Sequence, residues 1–306
     1  MKRNFVVGLD FFLQFIAPIA AIVGYLSRRC AMFGVTRSQS IFAKFGVLPI
    51  IDHYYEPRFK NFSNLERKRY LSGIDLRLED QLKLLDSFTY WDDFKGFIDN
   101  GGYNINNGMF GLVDSFILYS FIRKIHPSRV VEIGSGFSTL VVQEAIEKNS
   151  DKGFNCEHLV IEPYPPKFLN NLTNIKILPV KVEHSKYDFS DLESGDLLFI
   201  DSSHMFAPSN DVDKEFLEIL PLLQSGCYVH VHDVFTPYNY PSAWLVGQRK
   251  LWNEQYILEA FLTCNNKYHI EFCNFLISKD HKEKLISVTS PSLKEELGCS
   301  IYLRKI

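Results

Sequence analysis

Hydrophobic and polar positions change rhythm twice along the chain. From Phe5 to Leu26 the residues are apolar almost without a break, a length close to what a bilayer crossing needs. The next stretch, to about residue 105, is mixed. Leu78, Leu82 and Leu85 recur at helical spacing in the run 78–86. Pro57 keeps Asp52-His53-Tyr54-Tyr55-Glu56 out of a helix, and the Asn- and Gly-rich run 100–108 reads as a boundary of turns. From Phe110 helical and strand patterns alternate. Strands are predicted over Arg129–Ile133, His158–Glu162, Ile175–Val182, Asp196–Asp201, Gly226–His232, Tyr268–Ile277 and Ser300–Arg304, and helices over Phe110–Ile125, Leu140–Lys148, Asp211–Leu223 and Arg249–Cys264. This pattern predicts an α/β fold: a doubly wound, mostly parallel sheet over 106–306, with a helical N-terminal cap over 1–105.

The N-terminal apolar segment follows Lys2-Arg3 and precedes Arg28-Arg29, so basic residues flank both ends. Asp10, Gln14 and Pro18 interrupt it, and an acid inside a bilayer costs about 3 kcal/mol on insertion scales. It reads as a helix packed on the protein or lying at a membrane interface, with a true span and a cleaved signal as the alternatives.

The stretch that organises the rest is Val130-Val131-Glu132-Ile133-Gly134-Ser135-Gly136-Phe137-Ser138-Thr139. A strand runs into a Gly-x-Gly turn and then a helix, the arrangement of a nucleotide-type site at the carboxyl edge of a parallel sheet. A dinucleotide fingerprint wants a third glycine, which is absent, and an acid at Glu132 favours an ammonium or sulfonium over a pyrophosphate. Glu162, at the end of the next strand, is placed to accept ribose hydroxyls. Two further strands end in acids beside imidazoles: Asp201-Ser-Ser-His204 and His230-Val-His232-Asp233. Adjacent parallel strands bring Asp201, His204, His232 and Asp233 to one edge. Two carboxylates with an imidazole can hold a hard cation such as Mg²⁺, with a base beside it. A metal would lower the pKa of a sugar-type hydroxyl, and His204 would take its proton. Asp201 read alone is an ordinary helix N-cap, and His230 reads as a core histidine. The loop Phe235-Thr-Pro-Tyr238-Asn-Tyr240-Pro-Ser-Ala-Trp244 offers aromatic faces beside this edge, suited to a sugar ring. Glu254, on the following helix, reads as part of a solvated face, with reach to the acceptor as the alternative.

Composition narrows the field. At 306 residues with net charge −3 and no long basic run, the chain shows no nucleic-acid footprint. Six scattered cysteines without a C-x-x-C speak against a disulfide framework or zinc cluster and for a reducing, cytoplasmic compartment.

Glu-x-Gly-x-Gly with the second acid resembles motifs I and II of class I S-adenosylmethionine-dependent methyltransferases, which have a Rossmann-like sheet whose last strand is antiparallel. The resemblance implies that Glu132, Gly134 and Gly136 cradle the methionine part of the donor, that Ser135, Ser138 and Thr139 add hydrogen bonds, and that Glu162 holds the ribose. Asp201 borders the same pocket. The segments Asp-Leu-Leu-Phe-Ile-Asp-Ser-Ser-His and His-Val-His-Asp-Val-Phe resemble the catechol-type and the bacterial macrolide-sugar O-methyltransferases. They imply Asp201, His232 and Asp233 as metal ligands and His204 as base. His232 stands where those enzymes carry an acid, which suits Mn²⁺, Zn²⁺ or no metal better than Mg²⁺. Residues 45–306 as a whole look like bacterial methyltransferases linked to surface-polysaccharide synthesis. The expectation is an O-methyltransferase of a sugar or glycan precursor, with Tyr238, Tyr240 and Trp244 at the acceptor and peripheral membrane contact through the apolar N-terminus. A small phenol or lipid acceptor, a non-catalytic scaffold of a glycan-assembly complex, and a nicotinamide dehydrogenase are the alternatives.

Overall fold

The computed structural model describes residues 3–51, 53, 55–56 and 64–306. They form two compact units, Met1–Asn64 with Ala243–Leu251, and Leu65–Ser242 with Trp252–Ile306. In the first, α1 (Arg3–Met32) and α2 (Arg37–Lys44) are helices. α1 contains Pro18, and its 27 residues Val6–Met32 have mean hydropathy 2.1 and none of their apolar window buried. Phe11, Phe12, Phe15, Ile16 and Ile19 all face outward. Ser27 is the buried end of the helix, its hydroxyl on that of Ser38 at 2.8 Å. Of the predicted polar–aromatic cluster, Asp52, Tyr54 and Pro57 lie outside the described residues. Glu56 pairs with Arg28.

The second unit begins at Leu65, about forty residues before the boundary expected at 105/106. The reason is packing. α3 (Leu78–Asp86), α4 (Trp91–Asp99) and the turn between them insert Leu85, Phe94 and Phe88 into the same buried cluster as Val130, Phe199 and Tyr302 of the sheet. α5 (Leu112–Ile125), β1 (Arg129–Ile133), α6 (Phe137–Ser150), β2 (Glu157–Ile161), β3 (Lys176–Leu178) and β4 (Leu197–Ile200) follow. α7 (Asp211–Lys214) then continues through a π-type segment, Glu215–Ile219, into α8 (Leu220–Leu222). β5 (Tyr228–His232), α9 (Glu254–Leu262), β6 (Tyr268–Cys273), α10 (Asn274–Asp280), α11 (Lys282–Ser287) and β7 (Ser300–Lys305) complete the chain.

The seven strands stand in the order β3-β2-β1-β4-β5-β7-β6. β1 to β5 are parallel, and β7 runs antiparallel to both β5 and β6. Side-chain alternation sends Val131, Ile133, Leu198, Ile200, Val229 and Val231 to one core and Val130, Leu197, Phe199 and Tyr302 to the other. Both faces are covered, which is why these strands read as continuous apolar runs. The expected fold class is met.

Local differences have local causes. β3 stops at Leu178 because Pro179 has no N–H for the ladder. The apolar run Phe275-Leu276-Ile277, expected to continue a strand, is helix α10. A short buried apolar run fits either period, and Asn274, the first residue of the helix, is anchored by donating to Asp114 at 2.7 Å. α9 begins at Glu254 and not at Arg249, whose φ of +55° is left-handed.

Candidate active site

Strand order reverses between β1 and β4, the position where open α/β sheets bind ligands at their carboxyl ends. There the ladders continue one step past the strands: the N–H of Gly134 donates to Ile161 O at 3.0 Å and that of Asp201 to Ile133 O at 2.9 Å. Gly134 has φ +89°, and a Cβ there would lie 1.9 Å from Asp201 O. Only glycine allows the two loops to come this close. A cleft of about 400 Å³ opens beside them, lined by Gly134, Glu162, Asp201, Ser202, Ser203 and Asp211 among others.

Glu162 lies in this cleft, one carboxylate oxygen accepting the Tyr164 N–H at 2.7 Å. At Gly136 a Cβ would meet nothing within 4 Å. The buried Ser135 hydroxyl has no partner, an orphan beside the turn. An open turn, an orphaned hydroxyl at the head of α6 and a carboxylate across the cleft fit an amino acid–nucleoside donor such as S-adenosylmethionine.

Glu132 is placed differently from the expectation. It is fully buried, one carboxylate oxygen 2.8 Å from His158 Nε2 and the other accepting the Thr139 hydroxyl at 2.8 Å. Thr139 in turn accepts the Gly136 N–H at 3.2 Å. Both oxygens are thus engaged inside the protein, and Glu132 holds the turn instead of facing the donor. Thr139 acts in the same chain, and Ser138 is buried.

His204 is the centre of the second half of the edge. Its backbone is left-handed, φ +59°, and its carbonyl accepts the N–H groups of Asn253 and Glu254. Nε2 lies 3.2 Å from Asp201 and 3.5 Å from Asp233, and Nδ1 is 2.8 Å from Glu254. Burial lowers the His204 pKa, but the Asp201 and Glu254 carboxylates outweigh it and raise it well above the usual value. Burial likewise raises Asp201, yet the imidazoles of His232 and His204 hold it down to about 2.

Glu254 is the residue sequence reasoning missed. It is 1% exposed, not on a solvated face, and burial raises its carboxyl against the pull of His204. The signal available was its position two residues after Trp252, whose ring centroid is 4.3 Å from that of His204. Glu215 was also missed. It is fully buried in the π-type segment and bonded by Ser202 at 3.1 Å. Burial, then the Glu254 and Asp211 charges, push its pKa well above the usual range.

The expected metal trio does not assemble. Asp201 and Asp233 both point at His204 Nε2, which takes the place between them that a shared cation would hold. His232 turns Nδ1 to Ser300 at 3.0 Å. His230 is a core histidine, packed on Phe199 and Tyr302, and burial drives its pKa well down. The expected acceptor tyrosines are packing residues. Tyr240 is 1% exposed and accepts the Gln255 N–H at 3.0 Å, and the buried Tyr238 bonds Asp280 at 2.7 Å. Trp244 belongs to the other unit, where Lys250 lies 3.8 Å above its ring.

The strand order with its antiparallel β7 defines a class I methyltransferase fold. Residues 131–234 match the family model described as a methyltransferase domain. Fold and domain together make the chain an S-adenosylmethionine-dependent methyltransferase. A 200-residue stretch is 28% identical to an uncharacterised protein of Archaeoglobus fulgidus, covering 60% of this chain and 79% of that one. Solved structures it resembles include the SAH-bound methyltransferase PaMTH1 of Podospora anserina (16% identity, TM-score 0.39, 73% of this chain and 88% of that one). Others are an O-methyltransferase from Bacillus cereus in complex with SAH (11%, 0.39, 73% and 91%) and CalS11, a TDP-rhamnose 3'-O-methyltransferase (12%, 0.34, 58% and 86%). These likenesses are distant, and the fold assignment rests on the strand order itself.

Proposed function

We propose that the chain methylates a hydroxyl on a sugar or glycan precursor, with His204 as general base. The observation that carries this reading is the imidazole held at the sheet edge, Nδ1 on the buried Glu254 and Nε2 between Asp201 and Asp233. When bound, S-adenosylmethionine supplies an electrophilic methyl on a sulfonium. The chain's own residues do the rest. Glu162 and the Gly134–Gly136 turn hold the donor. The carboxylates around His204 favour its protonated form, so turnover should rise with pH as the neutral imidazole that takes the hydroxyl proton at Nε2 becomes populated, and Glu254 steadies the imidazolium that results. Trp252 beside the base offers an aromatic face for a sugar ring. The outward-facing apolar α1 supports a cytoplasmic enzyme anchored at a membrane, where the acceptor would be borne.

Calorimetry and turnover assays test the assignment together. His204→Ala is expected to bind S-adenosylmethionine within about two-fold of wild type while turnover falls roughly 10²–10⁴-fold. Undiminished turnover would remove the base. No donor binding by the wild type would favour the scaffold reading instead.

A further inference from the structure

We propose that Asp114, His232 and Cys299 form a structural site for a zinc-type divalent cation, bordered by Asp233 of the Asp201–His204 edge. Ligand atoms of Asp114, His232 and Cys299 all lie within 4.8 Å of one another. Cys299 Sγ is 3.5 Å from Asp114 Oδ2 and 3.3 Å from Asp233 Oδ1, and His232 Nε2 is 3.6 Å from Asp233 Oδ1. A tetrahedral zinc with ordinary bond lengths sets sulfur–oxygen edges at about 3.6 Å and nitrogen–oxygen edges at about 3.4 Å. The Cys299 Sγ–Asp114 Oδ2 edge of 3.5 Å fits this tetrahedron.

Proton counting points the same way. A thiol has one hydrogen, yet Sγ faces two carboxylate oxygens that can only accept. A cation among them satisfies both. The surrounding hydrogen bonds orient each donor inward. Asp114 Oδ1 accepts from Asn274 Nδ2 and Ser300 Oγ, both at 2.7 Å, and the Cys299 N–H is shared between Oδ1 and Oδ2 at 3.0 Å each, so Oδ2 keeps a lone pair for the site. Ser300 gives its one hydroxyl proton to Asp114, so it accepts from His232 Nδ1–H. Nε2 is then the atom at which His232 takes a second proton or a metal ion, the arrangement by which outer partners fix a ligating histidine. The close approach is built in: a Cβ at Gly298 would sit 2.7 Å from Asn274 Cβ and 2.8 Å from Val113, so residues 298–300 lie against the start of α5.

One thiolate, one imidazole and one carboxylate select zinc over Mg²⁺, which keeps octahedral oxygen ligation. Binding replaces the thiol proton, which leaves to solvent with any proton on Nε2, and no redox step is involved. The three donors come from three elements, so the role of the site is to pin the start of α5, the end of β5 and the start of β7 together.

Cobalt substitution of the full-length chain tests this without any activity readout. Apo protein titrated with Co²⁺ should bind about one equivalent and show tetrahedral bands with a thiolate-to-cobalt charge-transfer band. Cys299→Ser should lose the charge-transfer band, and Asp114→Asn should weaken binding at least ten-fold, with circular dichroism confirming the fold of each. Asp201→Asn should leave the spectrum unchanged. Substoichiometric binding by the wild type, a spectrum indifferent to Cys299→Ser, or one abolished by Asp201→Asn would each overturn the proposal.

Discussion

Two regions of this protein invert the usual partition of residues in opposite senses. At the sheet edge, His204, Glu215 and Glu254 are ionisable and buried. Along α1, Phe11, Phe12, Phe15 and Ile16 are apolar and exposed. Neither arrangement serves the stability of a lone soluble domain, because buried charge costs desolvation and exposed hydrocarbon favours association. The first inversion concentrates chemistry, and the second concentrates affinity for a non-aqueous phase. The lesson is that function is read most directly where the folding rules are broken.

The comparison can be broken at either end. The largest effect expected is from removing residues 3–32: nearly all of the protein should move from the membrane to the soluble fraction on vesicle flotation, with turnover on a soluble acceptor retained. Flotation that persists would show that the exposed helix is not the anchor. Gly134→Ala comes next. It forces a Cβ onto Asp201 O at a left-handed φ, and should cost roughly 3 kcal/mol or more in denaturant melts. A melt unchanged from wild type would mean the two loops are not held as described. Glu254→Gln should lower turnover roughly 10²-fold with little change in donor affinity, because a neutral partner no longer stabilises the imidazolium.

The smallest effect concerns pH. The Glu215 pKa is raised in the folded state, so the folded protein binds a proton that the unfolded chain has released. Its contribution to stability is therefore present below the unfolded pKa and is lost as pH rises towards the raised folded value. Glu215→Gln should flatten that decline in melting experiments across the same range. An identical pH profile in the variant would show that Glu215 is not held protonated.

Much of the fold was legible in the sequence because β1, β4 and β5 are apolar runs of strand length bounded by glycines and acids. The convergence of Asp201, His204 and Asp233 followed from strand adjacency alone. What escaped was long-range. Glu254 meets His204 across 50 residues and Ser300 meets Asp114 across 186, distances over which no period or spacing carries information. Glu132 was misread for a related reason: alternation gives the face of a strand residue but not whether its neighbours already satisfy it, as His158 and Thr139 do. The boundary near residue 105 was misplaced because turn-rich composition marks a loop, whereas Leu85, Phe88 and Phe94 decide which core a helix joins.

The chain of bonds from His158 through Glu132 and Thr139 to the Gly136 amide has a kinetic consequence. A turn already stiff before any ligand arrives loses little freedom on binding, so its grip depends on shape that donor and demethylated product have in common. Methyl transfer leaves the amino-acid half of the donor unchanged. If the turn grips the donor as proposed, it would hold the spent product about as firmly, and strong competitive inhibition by that product is the expected outcome in turnover assays.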